Sequence, residues 1–196
     1  MTDPHALSPV VVAGFLASAS GTTAALLRRM RREFEAHGQL STPTVAWMYG
    51  TYGVHAAATA VALRQSRPRG RTAGSRLATV AGYGLAAAGT AMFIAGMSRF
   101  TGAAQVSGMT DDQLAVGGAY RWSRNPQYVG YVAALGGLAG ARRSVPAAGL
   151  AAGAAAAFAW WVPVEERHLA PVFGEAYQRY LARTPRWLGM SRRPGA

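Results

Sequence analysis

The chain has 196 residues, enough for about one domain, with 51% hydrophobic side chains, only 14% charged ones and a formal net charge of +12. All twenty basic residues are arginine, and they crowd between apolar windows instead of forming one polar face. This pattern argues against nucleic acid as a partner and for contact with anionic lipid headgroups. Cysteine is absent, which excludes disulfides, thiolate nucleophiles and cysteine-ligated metal.

The first uncharged window runs from Ser8 to Leu27, ~30 Å as a helix and so matched to the hydrocarbon thickness of a bilayer. No Lys or Arg precedes Arg28, so the window lacks the basic start of a secretory signal peptide and reads as a retained helix. It closes on Arg28, Arg29, Arg31 and Arg32. The second window, Thr44 to Leu63, is uncharged but for His55 when protonated, and it leads into a turn rich in Pro, Gly and Arg from Arg64 to Arg76. The third, Leu77 to Met97, is the cleanest span, with Arg99 just beyond it. A polar stretch follows, in which Asp111 and Asp112 read as solvent-facing.

A fourth apolar segment, Tyr128 to Ala141, is ~21 Å long and short for a span. Arg142 and Arg143 separate it from a fifth, Ser144 to Val164, and so short a link makes the two a helical hairpin. Gly136 and Gly140 are spaced four apart, as are Gly149 and Gly153, a spacing that gives each arm a small-residue notch for close helix approach. From Glu165 onward Leu169, Phe173, Tyr177, Tyr180 and Leu181 fall at spacings of three and four, the pattern of an amphipathic helix that lies on the membrane surface or caps a site.

The expected fold is therefore all-α: a polytopic transmembrane protein of about five membrane helices, including a C-terminal hairpin, followed by an amphipathic C-terminal helix. One integral membrane domain covers 1–196, with three membrane helices in 1–97 and a loop, hairpin and amphipathic helix in 98–196. A cytoplasmic C-terminus puts thirteen arginines in inside segments and seven outside, the direction that basic loops favour. The five arginines from Arg64 to Arg76 then lie outside.

Polar and aromatic residues are densest from Gly117 to Gly130, immediately before the fourth apolar segment. Pro126 suits a first helical turn, which sets Arg124 and Asn125 at a helix entrance whose dipole and N–H groups favour an anionic or nucleotide-like ligand. The hairpin returns the chain to the same side, bringing Glu165 and Glu166 near Arg124 and Tyr128. Carboxylates, guanidinium groups and rings together suit a zwitterionic, cationic cofactor such as S-adenosylmethionine. The same residues equally suit interfacial ion pairs and belt aromatics. His5, His37 and His55 have no second ligand at metal-binding spacing, so no metal is expected.

At these residues the chain resembles the superfamily of isoprenylcysteine carboxyl methyltransferases and phospholipid methyltransferases, which are integral membrane enzymes. The match runs through Gly118-Ala119-Tyr120-Arg121, Arg124-Asn125-Pro126-Gln127-Tyr128-Val129-Gly130, a hydrophobic hairpin, Glu165-Glu166-Arg167-His168-Leu169, Phe173-Gly174-Glu175-Ala176-Tyr177-Gln178-Arg179-Tyr180 and Pro185-Arg186-Trp187. The resemblance implies S-adenosylmethionine bound at the cytoplasmic face by Gly118, Tyr120, Arg124, Asn125, Pro126, Tyr128, Glu165 and Glu166. It implies a lipophilic or small methyl acceptor arriving from the bilayer, with membrane lipids as partners and with Arg124, Glu166 and Arg186 as the catalytic set.

The family often has histidine where this chain has Asn125, and asparagine cannot titrate near neutral pH. A carboxylate or thiolate acceptor needs no base; an amine or hydroxyl acceptor needs one, for which Glu165, Glu166 and His168 are the nearby candidates. Two alternatives compete with the methyltransferase. One is an NADPH-dependent membrane reductase related to sterol reductases, which usually have more helices than this chain supplies. The other is a non-catalytic membrane protein of the same fold.

Overall fold

The computed structural model describes residues 9–66, 73–106, 109–110 and 113–190. His5, Asp111, Asp112 and most of the turn between Arg64 and Arg76 lie outside them. Every regular element among the described residues is helical, in the order α1 (Pro9–His37), α2 (Thr42–Gln65), α3 (Ala73–Met97), a single turn α4 (Ala103–Val106), a 3₁₀ turn (Gly118–Arg121), α5 (Pro126–Arg142) and α6 (Val145–Arg183).

Among the described residues, two helices, α3 over Arg76–Met97 and α6, are long and apolar enough to cross a membrane. The second and fourth windows fall short of that measure for local reasons. Helix α2 carries Tyr49, Thr51, Tyr52, His55 and Thr59 within its apolar window, and α5 has only 17 residues, ~25 Å of helix.

The hairpin link between α5 and α6 is as short as its sequence implies. Arg143 closes α5 in the left-handed region at φ 51°, donating its N–H to Ala139 and Gly140, and the Ser144 side chain caps α6 by accepting from the Ala147 N–H. Beyond the link the structure departs from expectation. Instead of breaking at Glu165 into a separate amphipathic helix, α6 runs on as a regular helix to Phe173, and at Gly174 the backbone leaves helical geometry and kinks into a last helical stretch that ends at Arg183. Both Pro163 and Pro171 are accommodated inside it.

The glycines that bring helices together are not the pairs spaced four apart in the hairpin arms. A Cβ built at Gly136, Gly140, Gly149 or Gly153 would meet nothing within 4 Å. A Cβ at Gly82 would lie 2.6 Å from the Ala141 nitrogen, at Gly89 2.4 Å from that of Ala134, and at Gly96 2.8 Å from that of Gln127. Gly130 and Gly137 return the contact from α5, against Phe93 and Ala86. Seven residues down α3 therefore meet seven residues up α5, and the two backbones touch along an antiparallel seam that only glycine permits.

Around this seam the buried side chains form separate clusters. Leu26, Met30 and Phe34 of α1 join Leu40, Val45 and Met48 against Trp161 and Val164 of α6. Tyr120, Tyr177 and Tyr180 form a second core beyond the end of the α3–α5 seam, covered by Phe100, Leu114, Leu169 and Phe173. The first cluster fixes the upper part of α6 and the second fixes its tail, so the stretch from Glu165 to Phe173 is held at both ends.

Candidate functional site

The loop before α5 is shaped by one backbone requirement. Gly118 takes φ 61°, a conformation that favours glycine, and the Arg99 guanidinium packs over it, with Nη2 2.6 Å from where a Cβ would lie. The turn that follows buries Tyr120, whose hydroxyl donates to Oε1 of Gln127 at 3.0 Å and whose carbonyl accepts from the Tyr180 hydroxyl at 2.9 Å. Burial is the main cause pushing the hydroxyls of Tyr120, Tyr177 and Tyr180 above their ordinary range. Glu165 adds to the shift at Tyr120, Glu166 at Tyr177, and Tyr177 at Tyr180. All three stay protonated donors at neutral pH.

From Trp122 to Asn125 the chain pairs with the segment after α6. The Arg124 N–H donates to the Pro185 carbonyl at 3.0 Å, and the Gly189 N–H to that of Trp122 at 3.1 Å. Asn125 begins α5 but makes no side-chain cap; its Nδ2 instead donates to the Arg186 carbonyl at 3.0 Å. Fully buried Ser123 accepts from the Asn125 N–H at 2.9 Å. The C-terminal segment is thus strapped across the loop.

Successive residues of a helix point about 100° apart, and this separates the roles of the two carboxylates. Glu166 faces the strap: Arg186 donates to it from Nε at 3.1 and 3.2 Å and from Nη2 at 2.6 Å, while Nη2 of Arg124 lies 3.3 Å from its other side. Hydrogen bonding to Glu166 pushes the Arg186 guanidinium further up from its already high range. Glu165 faces the other way, accepting from the Tyr128 hydroxyl at 3.4 Å. The Tyr128 ring stacks on Phe158 at 4.3 Å.

These residues border two adjoining cavities. A polar one of about 90 Å³ is lined by Tyr120, Arg124, Asn125, Gln127, Glu165 and Glu166, with His168, Tyr177 and Tyr180 around them. An apolar one of about 400 Å³ is lined by Met30, Phe93, Tyr128, Tyr131, Phe158 and Trp161 among others, and shares Gln127 and Glu165 with the first. The Nε of Arg124 is buried and has no hydrogen-bond partner. A buried donor in that state is a place where a ligand's acceptor gains a full hydrogen bond.

Of the residues proposed from sequence, Tyr120, Arg124, Asn125, Glu165 and Glu166 meet around the polar cavity. Tyr128 lines only the apolar cavity, and Arg186 reaches the site through Glu166. Gly118 and Pro126 line neither: Gly118 seats Arg99, and Pro126 is buried in the first turn of α5. The sequence reading missed Gln127, which sits inside the motif, and Phe34, which arrives from α1 with no motif to mark it.

No curated protein and no solved structure matches the chain. Residues 77–176, just over half of its length and spanning α3 through the Glu165–Glu166 pair and Gly174, match the model of the phospholipid methyltransferase family. With the motif residues gathered around one pair of cavities, the chain belongs to the phospholipid methyltransferase family, within the superfamily of integral-membrane methyltransferases.

Proposed function

We propose that this chain is a multi-pass membrane methyltransferase that uses S-adenosylmethionine, held in the polar cavity at the cytoplasmic face, and methylates a lipophilic or small acceptor in the apolar cavity. One observation carries the reading: a polar cavity with an unsatisfied buried guanidinium nitrogen opens beside a larger apolar cavity, and a carboxylate stands at their junction.

The residues fit the cofactor's chemistry. Arg124 offers its Nε to a carboxylate, Glu165 and Glu166 offer oxygens to an ammonium, and the faces of Tyr120, Tyr177 and Phe173 suit a purine ring. At about 90 Å³ the polar cavity matches the amino-acid head of such a ligand, and the remainder extends toward the apolar cavity or displaces the strap. When bound, S-adenosylmethionine supplies an electrophilic methyl group on a sulfonium.

The protein's share is to orient and to exclude water. Arg186, by clamping Glu166, holds the C-terminal strap over the loop, and Asn125 fixes the same strap through the Arg186 carbonyl. Asparagine performs that positioning without a titrating group. In this reading α1, α2 and α5 complete the membrane-embedded body with α3 and α6, lipids surround them, and the arginine bias sets the C-terminus inside.

Calorimetric titration of the detergent-purified protein with S-adenosylhomocysteine tests the proposal, with NADPH as the parallel ligand. Saturable binding of S-adenosylhomocysteine that disappears in Arg124→Ala is expected. Binding of NADPH alone would replace the reading with that of a reductase.

A further inference from the structure

The pairing of the strap with the loop before α5 leaves an apolar surface uncovered. Two backbone hydrogen bonds hold the segments side by side, from the Arg124 N–H to the Pro185 carbonyl and from the Gly189 N–H to that of Trp122. The polar members face in: Ser123, Asn125 and Thr184 are buried, and Arg186 reaches Glu166. The apolar members face out. Trp122, Trp187, Leu188 and Met190 are all exposed, Leu188 by 65% and Met190 by 82%. A single exposed apolar side chain is ordinary, but four on two paired segments make a patch that marks an interaction surface.

Depth and charge together identify what covers it. Glu166, to which Arg186 ties the strap, stands two residues beyond Val164, where the uncharged window of α6 ends, and Trp122 precedes the first residue of α5 by four. With α6 across a bilayer, the strap lies where hydrocarbon gives way to headgroups. Trp160, exposed on α6 one turn before Val164, marks the same boundary, the depth at which tryptophan collects. Residues 116–125 and 183–190 hold Arg121, Arg124, Arg183 and Arg186 and no carboxylate, and the sequence continues into Arg192 and Arg193. Arg121 and Arg183 are exposed, and the Arg99 guanidinium packs beside them over Gly118. Tryptophan, leucine and methionine set among arginines suit an interface in which apolar groups reach the acyl boundary and guanidinium groups meet lipid phosphates.

We infer that the outer face of the strap, Trp122, Trp187, Leu188 and Met190 with Arg121 and Arg183, is a membrane-surface foot that seats in the anionic headgroup layer beside the polar cavity. The inference rests on the reading that α3 and α6 cross the bilayer. It gives the strap two faces with two tasks. Its inner side holds Arg124, Asn125 and Glu166, three residues of the polar cavity's wall, while its outer side rests on lipid, so the membrane surface braces that wall.

Because the chain has no cysteine, one introduced cysteine carries a unique label. Leu188→Cys, Glu175→Cys and Leu85→Cys, each bearing an environment-sensitive nitrobenzoxadiazole dye, are reconstituted as full chains into vesicles of equal parts phosphatidylcholine and phosphatidylglycerol. Quenching is read with lipids spin-labelled either near the headgroup or in mid-chain. Glu175 is an exposed position just past Gly174, which stands ~12 Å along α6 from Glu166, and Leu85 is exposed midway along the third apolar window. The Leu188 label is expected to emit blue-shifted light and to be quenched by the shallow spin label at least about threefold more than the Glu175 label, a difference that shrinks in phosphatidylcholine alone. The Leu85 label is expected to respond most to the mid-chain quencher. Water-like emission at Leu188 overturns the inference, and so does a blue shift without quenching, which burial against a second copy of the chain would produce. A difference undiminished in phosphatidylcholine alone overturns the assignment to anionic headgroups. Quenching at Leu85 beside any of these results leaves the membrane reading standing, whereas none at Leu85 overturns both.

Discussion

Arg186 and Glu166 form a forked ion pair, Nη2 to Oε2 at 2.6 Å, that ties the segment after α6 to the middle of that helix. The pair is lopsided. The Arg186 side chain is 42% exposed, whereas Glu166 and its second partner Arg124 are only 13% and 14% exposed. Removing Arg186 leaves a carboxylate still paired with Arg124, and an exposed partner of this kind contributes about 0–1 kcal/mol. Removing Glu166 strands a largely buried guanidinium, for which about 3 kcal/mol is the expected order. Thermal unfolding in detergent should therefore show Glu166→Ala lowering Tm several times more than Arg186→Ala. Equal shifts would mean that Glu166 serves only the strap.

The antiparallel seam of α3 and α5 predicts a sharp contrast between glycines. Gly89→Ala sets a methyl group 2.4 Å from the Ala134 backbone nitrogen, where neither helix has a flexible side chain to yield. Overpacking of this sort costs about 1–3 kcal/mol. Gly136→Ala meets nothing within 4 Å and should be neutral or slightly stabilising, since alanine favours a helix over glycine by up to about 1 kcal/mol. Parallel melts of the two variants check the contrast, and a destabilised Gly136→Ala would show that the hairpin face is packed.

That seam also shows where the sequence is legible. Apolar windows and the Arg142–Arg143 break locate α3 and the α5–α6 hairpin, because a long uncharged run has few other folded uses. The motif from Tyr120 to Tyr128 and the Glu165–Glu166 pair lead to the site, because a hairpin must return to its own side. Which glycines pack is harder to read. The i, i+4 spacing of Gly136 and Gly140 is a familiar notch, yet the seam uses Gly82, Gly89 and Gly96 at intervals of seven, facing a partner 30 to 60 residues away. The continuation of α6 through Glu165 was hidden for a different reason: a change from apolar to polar composition marks a change of solvent, not the end of a helix. Phe34 reaches both cavities from α1, and no local pattern encodes such a long-range neighbour.

Gly174 is the one position in α6 where the backbone turns, at φ 50° and ψ −130°, a region that side chains rarely enter. Gly174→Ala has open space for its methyl group but must strain or straighten the helix, at about 1–3 kcal/mol. The turn is what directs Tyr177 and Tyr180 beneath Tyr120, so the loss should appear at the site as well as in Tm. The expected result is weaker S-adenosylhomocysteine binding in Gly174→Ala and none of that weakening in Gly153→Ala, where the helix is regular.

Glu33 gives the fold a pH dependence that is independent of the site. It holds the α1–α2 turn by accepting from the Ser41 N–H at 2.9 Å, from the fully buried Thr44 hydroxyl at 2.6 Å and from Arg29 at 3.0 Å. Burial alone would raise its pKa, but the hydrogen bonds from Thr44, Ser41 and Arg29 together outweigh it and hold the carboxyl below its usual value of 4.5. A carboxyl lowered in the folded state releases its proton more readily there than in the unfolded chain, so its contribution to stability is fully present above pH 4.5 and is lost as the pH falls through the lower folded value. Between pH 7 and pH 3.5 the wild-type protein should lose more Tm than Glu33→Gln, whose amide does not titrate. Identical losses in the two proteins would assign the acid sensitivity to other carboxylates and leave the α1–α2 turn without a role in it.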